Sequence, residues 1–74
     1  MALPVISGRK VIKALAKIGF EVTGKKGSHV KLKKKLDEKV FIVIVPDHPE
    51  LALGTLKSIL RQANITKEDF LKLL

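Results

Sequence analysis

The sequence predicts an α+β domain in which a helix is followed by a three-stranded antiparallel sheet and a second helix. Three observations support this prediction. Aliphatic residues recur with helical spacing after Ser7, they alternate with polar residues between 28 and 34, and they return to helical spacing after residue 54. The chain has 74 residues, which is the size of one small domain, and we assign residues 1–74 to it.

The first helix is predicted to begin after Ser7, whose hydroxyl can accept a hydrogen bond from a free backbone N–H. Gly19 is expected to end the helix, because glycine readily adopts the left-handed conformation at a C-terminal cap. The apolar stripe of this helix consists of Val11, Ile12, Leu15 and Ile18.

The first two strands are predicted to form a hairpin. Phe20 and Val22 alternate with polar residues, and the glycines and lysines at 24–27 are expected to provide the turn. The second strand is predicted to span residues 28–34, because apolar and polar residues alternate there.

A period of two places a histidine among lysines in the second strand. Val30 and Leu32 are its aliphatic residues, and they project from the opposite face to their polar neighbours. If the aliphatic pair faces the core, the other side chains lie on a polar face of the sheet. These polar side chains include His29, Lys31 and Lys33.

The third strand is predicted at 39–45, after a turn at 35–38, and it ends at Pro46. Its run from Val40 to Val45 is apolar on both faces, which is typical of a strand that is covered on both sides. The helices of so small a domain can cover one face only. We therefore expect the outer face or edge of this strand to contact another chain, and the alternative is that the strand is partly exposed within the core.

The second helix is predicted to begin near Gly54 and to end at Asn64, and Thr66 is expected to cap a short final helix. Both main helices are expected to pack on one face of the sheet. This order of elements resembles the double-stranded-RNA-binding architecture. The residues expected on the buried sides of the last two helices are Leu56, Ile59, Leu60, Ala63, Phe70, Leu71 and Leu74.

The charge of the chain favours a polyanionic partner. The net charge is +8 and the pI is about 10.1, so RNA or DNA is the first class of partner to consider. The alternative is a lysine-rich surface that only keeps the protein in solution. The three Phe and the lack of Tyr and Trp argue against a model based on stacking of single-stranded bases.

Other classes of protein are disfavoured by the composition. The chain has no cysteine, which excludes disulfides and cysteine-based zinc sites, and His29 and His48 are not spaced as a metal-ligand motif. The longest apolar run is too short to cross a bilayer, and the N-terminal residues make a poor signal peptide. We therefore expect a cytoplasmic protein without a membrane segment.

Several short motifs together resemble the HicA-type mRNA interferase toxins of HicAB toxin–antitoxin systems, and the resemblance covers nearly the whole chain. The matching motifs are Ser7-Gly8, Gly19-Phe20, Gly27-Ser28-His29, Gly54-Thr55-Leu56 and the stretch from Ser58 to Ala63. The resemblance implies a small ribonuclease that cuts mRNA without a metal or other cofactor and is silenced by a HicB-type antitoxin. The catalytic histidine of the family falls on His29.

The resemblance also suggests roles for the neighbours of His29. The imidazole would act as a general base or acid on the 2′-hydroxyl of RNA. Lys26, Lys31 and Lys33 would hold phosphates, and the Ser28 hydroxyl and the Gly27 N–H could bind a phosphate oxygen. The second proton-transfer group stays open among a lysine, water and His48. The simpler role for His48 is to order its loop.

Two other functions are compatible with the sequence. One is a non-catalytic RNA-binding module of the same fold, which would use the same lysines without needing His29. The other is a protein-interaction subunit whose apolar third strand is its main functional surface. A toxin would also have such a partner, because an acidic antitoxin covering His29 and the lysines would neutralise both charge and activity.

Overall fold

The computed structural model describes residues 2–74 and confirms the predicted fold class. The three strands form one antiparallel sheet in the order β1-β2-β3. A helix precedes the sheet and two helices follow it, as in the double-stranded-RNA-binding architecture. The elements are α1 (Gly8–Ala16), β1 (Glu21–Lys26), β2 (His29–Leu36), β3 (Lys39–Pro46), α2 (Leu53–Gln62) and α3 (Lys67–Lys72).

The helix ends follow the predicted capping residues. The Ser7 hydroxyl accepts a hydrogen bond from the Lys10 N–H at 3.2 Å, and the Thr66 hydroxyl accepts one from the Asp69 N–H at 3.1 Å. After α1 and α2 the chain turns through Gly19 at φ 100° and Asn64 at φ 55°, both in the left-handed region. Within residues 2–74, no helix is long and apolar enough to cross a membrane.

The predicted turn at 24–27 is wrong. β1 continues to Lys26, and the hairpin closes through a two-residue turn at Gly27 and Ser28. Gly27 takes φ 59° while Ser28 does not have a positive φ, which is the pattern of a type II′ turn. Gly24 lies inside β1, and the register shifts between Val22 and Gly24. A glycine inside a strand often marks such a bulge.

The second turn is also tighter than predicted. β2 extends to Leu36, and Asp37 and Glu38 alone connect it to β3. Asp37 adopts φ 55°, a conformation that aspartate tolerates better than most residues do. β2 and β3 then pair without interruption, from His29 opposite Pro46 to Leu36 opposite Lys39.

The hydrophobic core lies between one face of the sheet and the helices. The core-facing strand residues are at most 5% exposed, which confirms the predicted direction of Val30 and Leu32. Phe20 is buried but precedes β1, whereas Val22 is 54% exposed, so the two do not form one buried row. The central core residues are Val11, Leu15, Val30, Leu32, Val43, Val45, Leu56, Ile59 and Phe70.

In the part of the chain that the structure describes, no helix lies over the other face of the sheet. Along β3, the side chains of Val43 and Val45 are buried, and those between them point outward. Val40, Ile42 and Ile44 are 46%, 46% and 38% exposed. β3 is thus apolar on both faces, as predicted, and one of these faces is open.

Gly8 is required where α1 meets the end of β3. A Cβ built on Gly8 would overlap the carbonyl oxygen of Pro46. The Gly8 N–H also donates to the His48 carbonyl at 2.9 Å. This close approach anchors the N-terminus of α1 to the loop that follows β3.

We predict that Gly8→Ala destabilises the domain by about 1–3 kcal/mol, because the added methyl group pushes backbone atoms apart in a packed region. Gly54→Ala is the matched control, since Gly54 is helical and a Cβ added there would have no heavy atom within 4 Å beyond its chain neighbours and the adjacent backbone of α2. The control is expected to be neutral or to stabilise by about 0.4–1 kcal/mol. Urea unfolding measures both effects, and equal stability of the two variants would contradict the role of Gly8.

Candidate active site

The β1–β2 hairpin holds His29 at one end of the open sheet face. His29 is the first residue of β2 and is exposed. Its cross-strand neighbours are Lys26 on β1 and Pro46 on β3. The structure therefore places His29 on the polar face of β2 with Lys31 and Lys33, as the alternation predicted.

A row of lysines continues from His29 along the open face. Lys31, Lys33 and Lys35 are all exposed, and each two-residue step along the strand is about 6.6 Å. Lys33 lies opposite Glu21 across the β1–β2 ladder, whereas Lys31 lies opposite Gly24. Lys31 is therefore close to His29 along β2 and, unlike Lys33, has no acidic residue opposite it on β1.

The hairpin turn presents further hydrogen-bond donors beside His29. Gly27 has open space where a Cβ would stand, and Ser28 is exposed. Among residues 2–74, the N–H groups of Gly27 and Ser28 donate to no other backbone group. A phosphate oxygen at the turn could accept hydrogen bonds from these groups.

Asp47, which no sequence motif assigned to the site, fixes the end of the sheet. Its N–H donates to the Ser28 carbonyl at 2.6 Å. Its carboxylate accepts hydrogen bonds from Lys25 Nζ at 3.2 Å and from Arg9 Nε at 3.4 Å. The hydrogen bond from Lys25 and the charges of Lys25 and Arg9 hold the pKa of Asp47 below its ordinary value of 3.8, against an opposing effect of partial burial.

The Asp47 contacts lie on the helix side of the sheet. Lys25 pairs with Val30, a core-facing residue, so its side chain projects from the opposite face to that of His29. Asp47 thus joins β1, the turn and the start of α1 behind the histidine. Because Lys25 and Arg9 are paired with Asp47, we do not count them among the cations of the open face.

The position of Asp47 beside the hairpin turn could have been inferred indirectly from the sequence. It follows the third strand by one position, and Pro46 is the register partner of His29. The residue after Pro46 must therefore lie beside the hairpin turn. This argument needs the pairing of β2 with β3, which alternation alone does not give.

His48 is grouped with the start of α1. It is exposed and lines a cavity of about 310 Å³ together with Ser7, Arg9, Asp47 and Pro49. No lysine of the β2 row lines this cavity. The observed contact of His48 is made by its backbone carbonyl, which accepts a hydrogen bond from the Gly8 N–H, and the role of its imidazole stays a prediction.

Nowhere in the part of the chain that the structure describes do three or more His, Cys, Asp or Glu side chains form a group that could hold a metal ion. The donors near His29 are ammonium, hydroxyl and backbone N–H groups, which suit an anion.

The fold and this site define a class: a small basic α+β domain whose open sheet face carries an exposed histidine at the head of a lysine row. A family model described as the HicA toxin of bacterial toxin–antitoxin systems matches residues 8–65. The match covers most of the 74 residues, and the chain belongs to the HicA toxin family. Membership implies a toxin–antitoxin system with an antitoxin partner. No curated protein matches the chain.

We predict that Asp47→Asn lowers stability at neutral pH and that its difference from the wild type shrinks in acid. A carboxyl group with a lowered pKa stabilises the fold while ionised, and this contribution is lost as the pH falls through its folded-state pKa, below 3.8. The effect should be small and should decrease with salt, because Arg9 and Lys25 are exposed.

Urea unfolding of the wild type and of Asp47→Asn, from neutral pH to below pH 3.8, provides the measurement. Asp37→Asn is the control, since it removes the same charge from a turn residue for which asparagine is equally suitable. A stability difference for Asp47→Asn that stays constant from neutral to acidic pH would show that charge pairing is not its cause.

Proposed function

We propose that this chain is the toxin of a type II toxin–antitoxin system that cleaves mRNA without a metal ion, with His29 as a proton-transfer group. A HicB-like antitoxin inhibits it in the cytoplasm. The observation that carries the proposal is the exposed imidazole at the head of a lysine row on an uncovered sheet face. Membership of the HicA toxin family supports it.

The proposed reaction uses the 2′-hydroxyl of the RNA itself. His29 accepts the proton of that hydroxyl while its oxygen attacks the adjacent phosphorus. The bond from phosphorus to the 5′-oxygen then breaks, leaving a 2′,3′-cyclic phosphate, and the leaving oxygen takes up a proton. Histidine suits the first step because imidazole ordinarily titrates near the working pH, and such a group contributes about 10²–10⁴-fold.

The cations around His29 stabilise the charge that develops on the phosphorane. Lys26 is the cross-strand partner of His29, and Lys31 is the next outward-facing residue along β2. Lys33 extends the phosphate-binding row by one more step. The Ser28 hydroxyl and the Gly27 N–H donate to a phosphate oxygen at the turn.

The proton for the 5′-oxygen comes from a second group. Lys26 is the lysine that the register places directly beside His29, and it is one candidate for this group. Water is the other candidate on the open face. His48 contacts the start of α1, which makes it the weaker choice.

We predict that His29→Ala lowers RNA cleavage by about 10²–10⁴-fold, abolishes growth inhibition and leaves the fold intact, because His29 is exposed. The assay is cleavage of purified RNA in EDTA, with thermal unfolding to check the fold. His48→Ala is the matched control and should keep most of the activity. Loss of cleavage in the control would instead make His48 the second proton-transfer group.

Full cleavage by His29→Ala would remove His29 from the mechanism. RNA binding without cleavage in the wild type would favour the non-catalytic module of the same fold. The two functions share the lysines and differ in their need for the imidazole.

We predict that RNA binding is strongly salt-dependent and weakly selective for sequence, because phosphate contacts carry no sequence information. In the His29→Ala background, Lys31→Gln should reduce the slope of log affinity against log salt by about 0.7, the value for one phosphate of a single strand. Lys57→Gln on α2 is the control and should leave the slope unchanged. Affinity that does not vary with salt would rule out the lysine row as the RNA-binding surface.

A further inference from the structure

One carboxylate interrupts the cationic open face of the sheet. Glu21 is the only acidic residue in β1, β2 and β3. It pairs with Lys33 across the β1–β2 ladder, and residues that pair in this way point to the same side of a sheet. The Glu21 side chain therefore shares the open face with the lysine row. The proposed cleavage chemistry gives it no role, and a carboxylate beside bound phosphates weakens their binding.

The Glu21 carboxylate has no partner among residues 2–74. The acidic residues that form ion pairs there are Asp47 and Asp69, and no side-chain hydrogen bond reaches Glu21. Glu21 is exposed, so an ion pair with Lys33 in solution would contribute little to stability. Both oxygens of the carboxylate are thus available to accept hydrogen bonds from a ligand.

Glu21 lines a cavity beside the lysine row. The cavity has a volume of about 420 Å³, and its other lining residues are Gly19, Thr23, Lys33 and Lys35. This volume lies in the range of small-ligand sites. The cavity therefore combines one carboxylate with two ammonium groups, and a matching ligand presents hydrogen-bond donors next to an acceptor.

Guanine is the RNA base whose edge matches this combination. Its Watson–Crick edge presents two adjacent donors, N1–H and the N2 amino group, beside the O6 acceptor, and a carboxylate can accept two parallel hydrogen bonds. Adenine and cytosine have an acceptor nitrogen next to their amino group, and uracil has a carbonyl on each side of its single N–H. A carboxylate that faces one of these three bases makes one hydrogen bond and opposes a lone pair.

We propose that Glu21 and Lys35 form a guanine-binding subsite on the open face. The Glu21 carboxylate accepts hydrogen bonds from N1–H and the N2 amino group, and the Lys35 ammonium group donates to O6. Lys35 is the member of the lysine row that the cleavage proposal leaves unused, and Lys33 keeps its phosphate contact. The inference rests on the proposed function, because it takes single-stranded RNA as the substrate. Proteins commonly recognise unpaired RNA bases through their Watson–Crick edges.

The subsite lies at a fixed distance from His29. Lys33, the cross-strand partner of Glu21, is two two-residue steps from His29 along β2, which is about 13 Å. An RNA strand that follows the lysine row places one base at Glu21 while another nucleotide lies at the imidazole. Guanine should then recur at a constant offset from the cleaved bond. The preference is modest, because phosphate contacts still supply most of the affinity.

The test measures RNA binding by the full chain with His29→Ala, so that the RNA stays intact. The probes are short uridine oligomers with one central guanosine, adenosine, cytidine or inosine, and fluorescence anisotropy gives their affinities. The guanosine oligomer should bind about 5-fold more tightly than the adenosine and cytidine oligomers, which is the lower end of the discrimination given by a bidentate base contact. Inosine lacks the N2 amino group and should bind more weakly than guanosine.

Two variants separate base recognition from charge. Glu21→Thr should abolish the guanine preference and strengthen binding of the oligomers without guanosine, because it removes a negative charge beside the phosphates. Threonine suits a strand and cannot accept two parallel hydrogen bonds. Glu38→Thr is the matched control, since it removes the same charge from an exposed residue of the β2–β3 turn, and it should keep the preference.

Three outcomes would overturn the proposal. Equal affinity for oligomers with and without guanosine would remove the subsite. A guanine preference that persists in Glu21→Thr, or that Glu38→Thr loses equally, would remove Glu21 from base recognition. A preference for another base that depends on Glu21 would remove guanine as the ligand. Failure of the nuclease proposal is a separate result, since the wild type would then prefer the guanosine oligomer and cut none of the probes.

Discussion

The constraint on which the rest of the structure depends is that the helices cover one face of the sheet only. The inward side chains of β2 and β3 are buried in the core. They belong to Val30, Leu32, Val43 and Val45 and are almost fully buried. The alternate side chains of the same strands are left on the open face. The alternation that builds the core therefore also creates the basic and apolar rows of the candidate site.

The end of the sheet near His29 is held by contacts that come from distant parts of the chain. Asp47 binds the Ser28 carbonyl and two cations, and Gly8 allows α1 to approach Pro46 closely. These contacts lie behind the histidine and leave its open side accessible. They join the hairpin turn, which would otherwise be free at one end, to the end of β3 and to the start of α1.

Local patterns in the sequence were sufficient for most of the fold and for the direction of His29. Alternation in β2 defines its polar face, and Ser7, Gly19 and Asn64 mark helix ends through their capping chemistry. The first turn was misplaced because Gly24 and Gly27 are both suitable turn residues, and strand pairing decides between them. Asp47 was missed because its partners are 22 and 38 residues away, beyond the reach of any periodic pattern.

The exposed edge of β3 has a consequence for the isolated chain in solution. Ile44 is capped by Gln62, but period two directs the backbone groups of Val40 and Ile42 toward the same unprotected edge. Such an edge, flanked by branched aliphatic side chains, is a template for intermolecular strand pairing and precipitation. Mutual repulsion between highly cationic molecules opposes this association, and dissolved salt screens that repulsion. The colloidal stability of the free protein therefore declines as ionic strength rises.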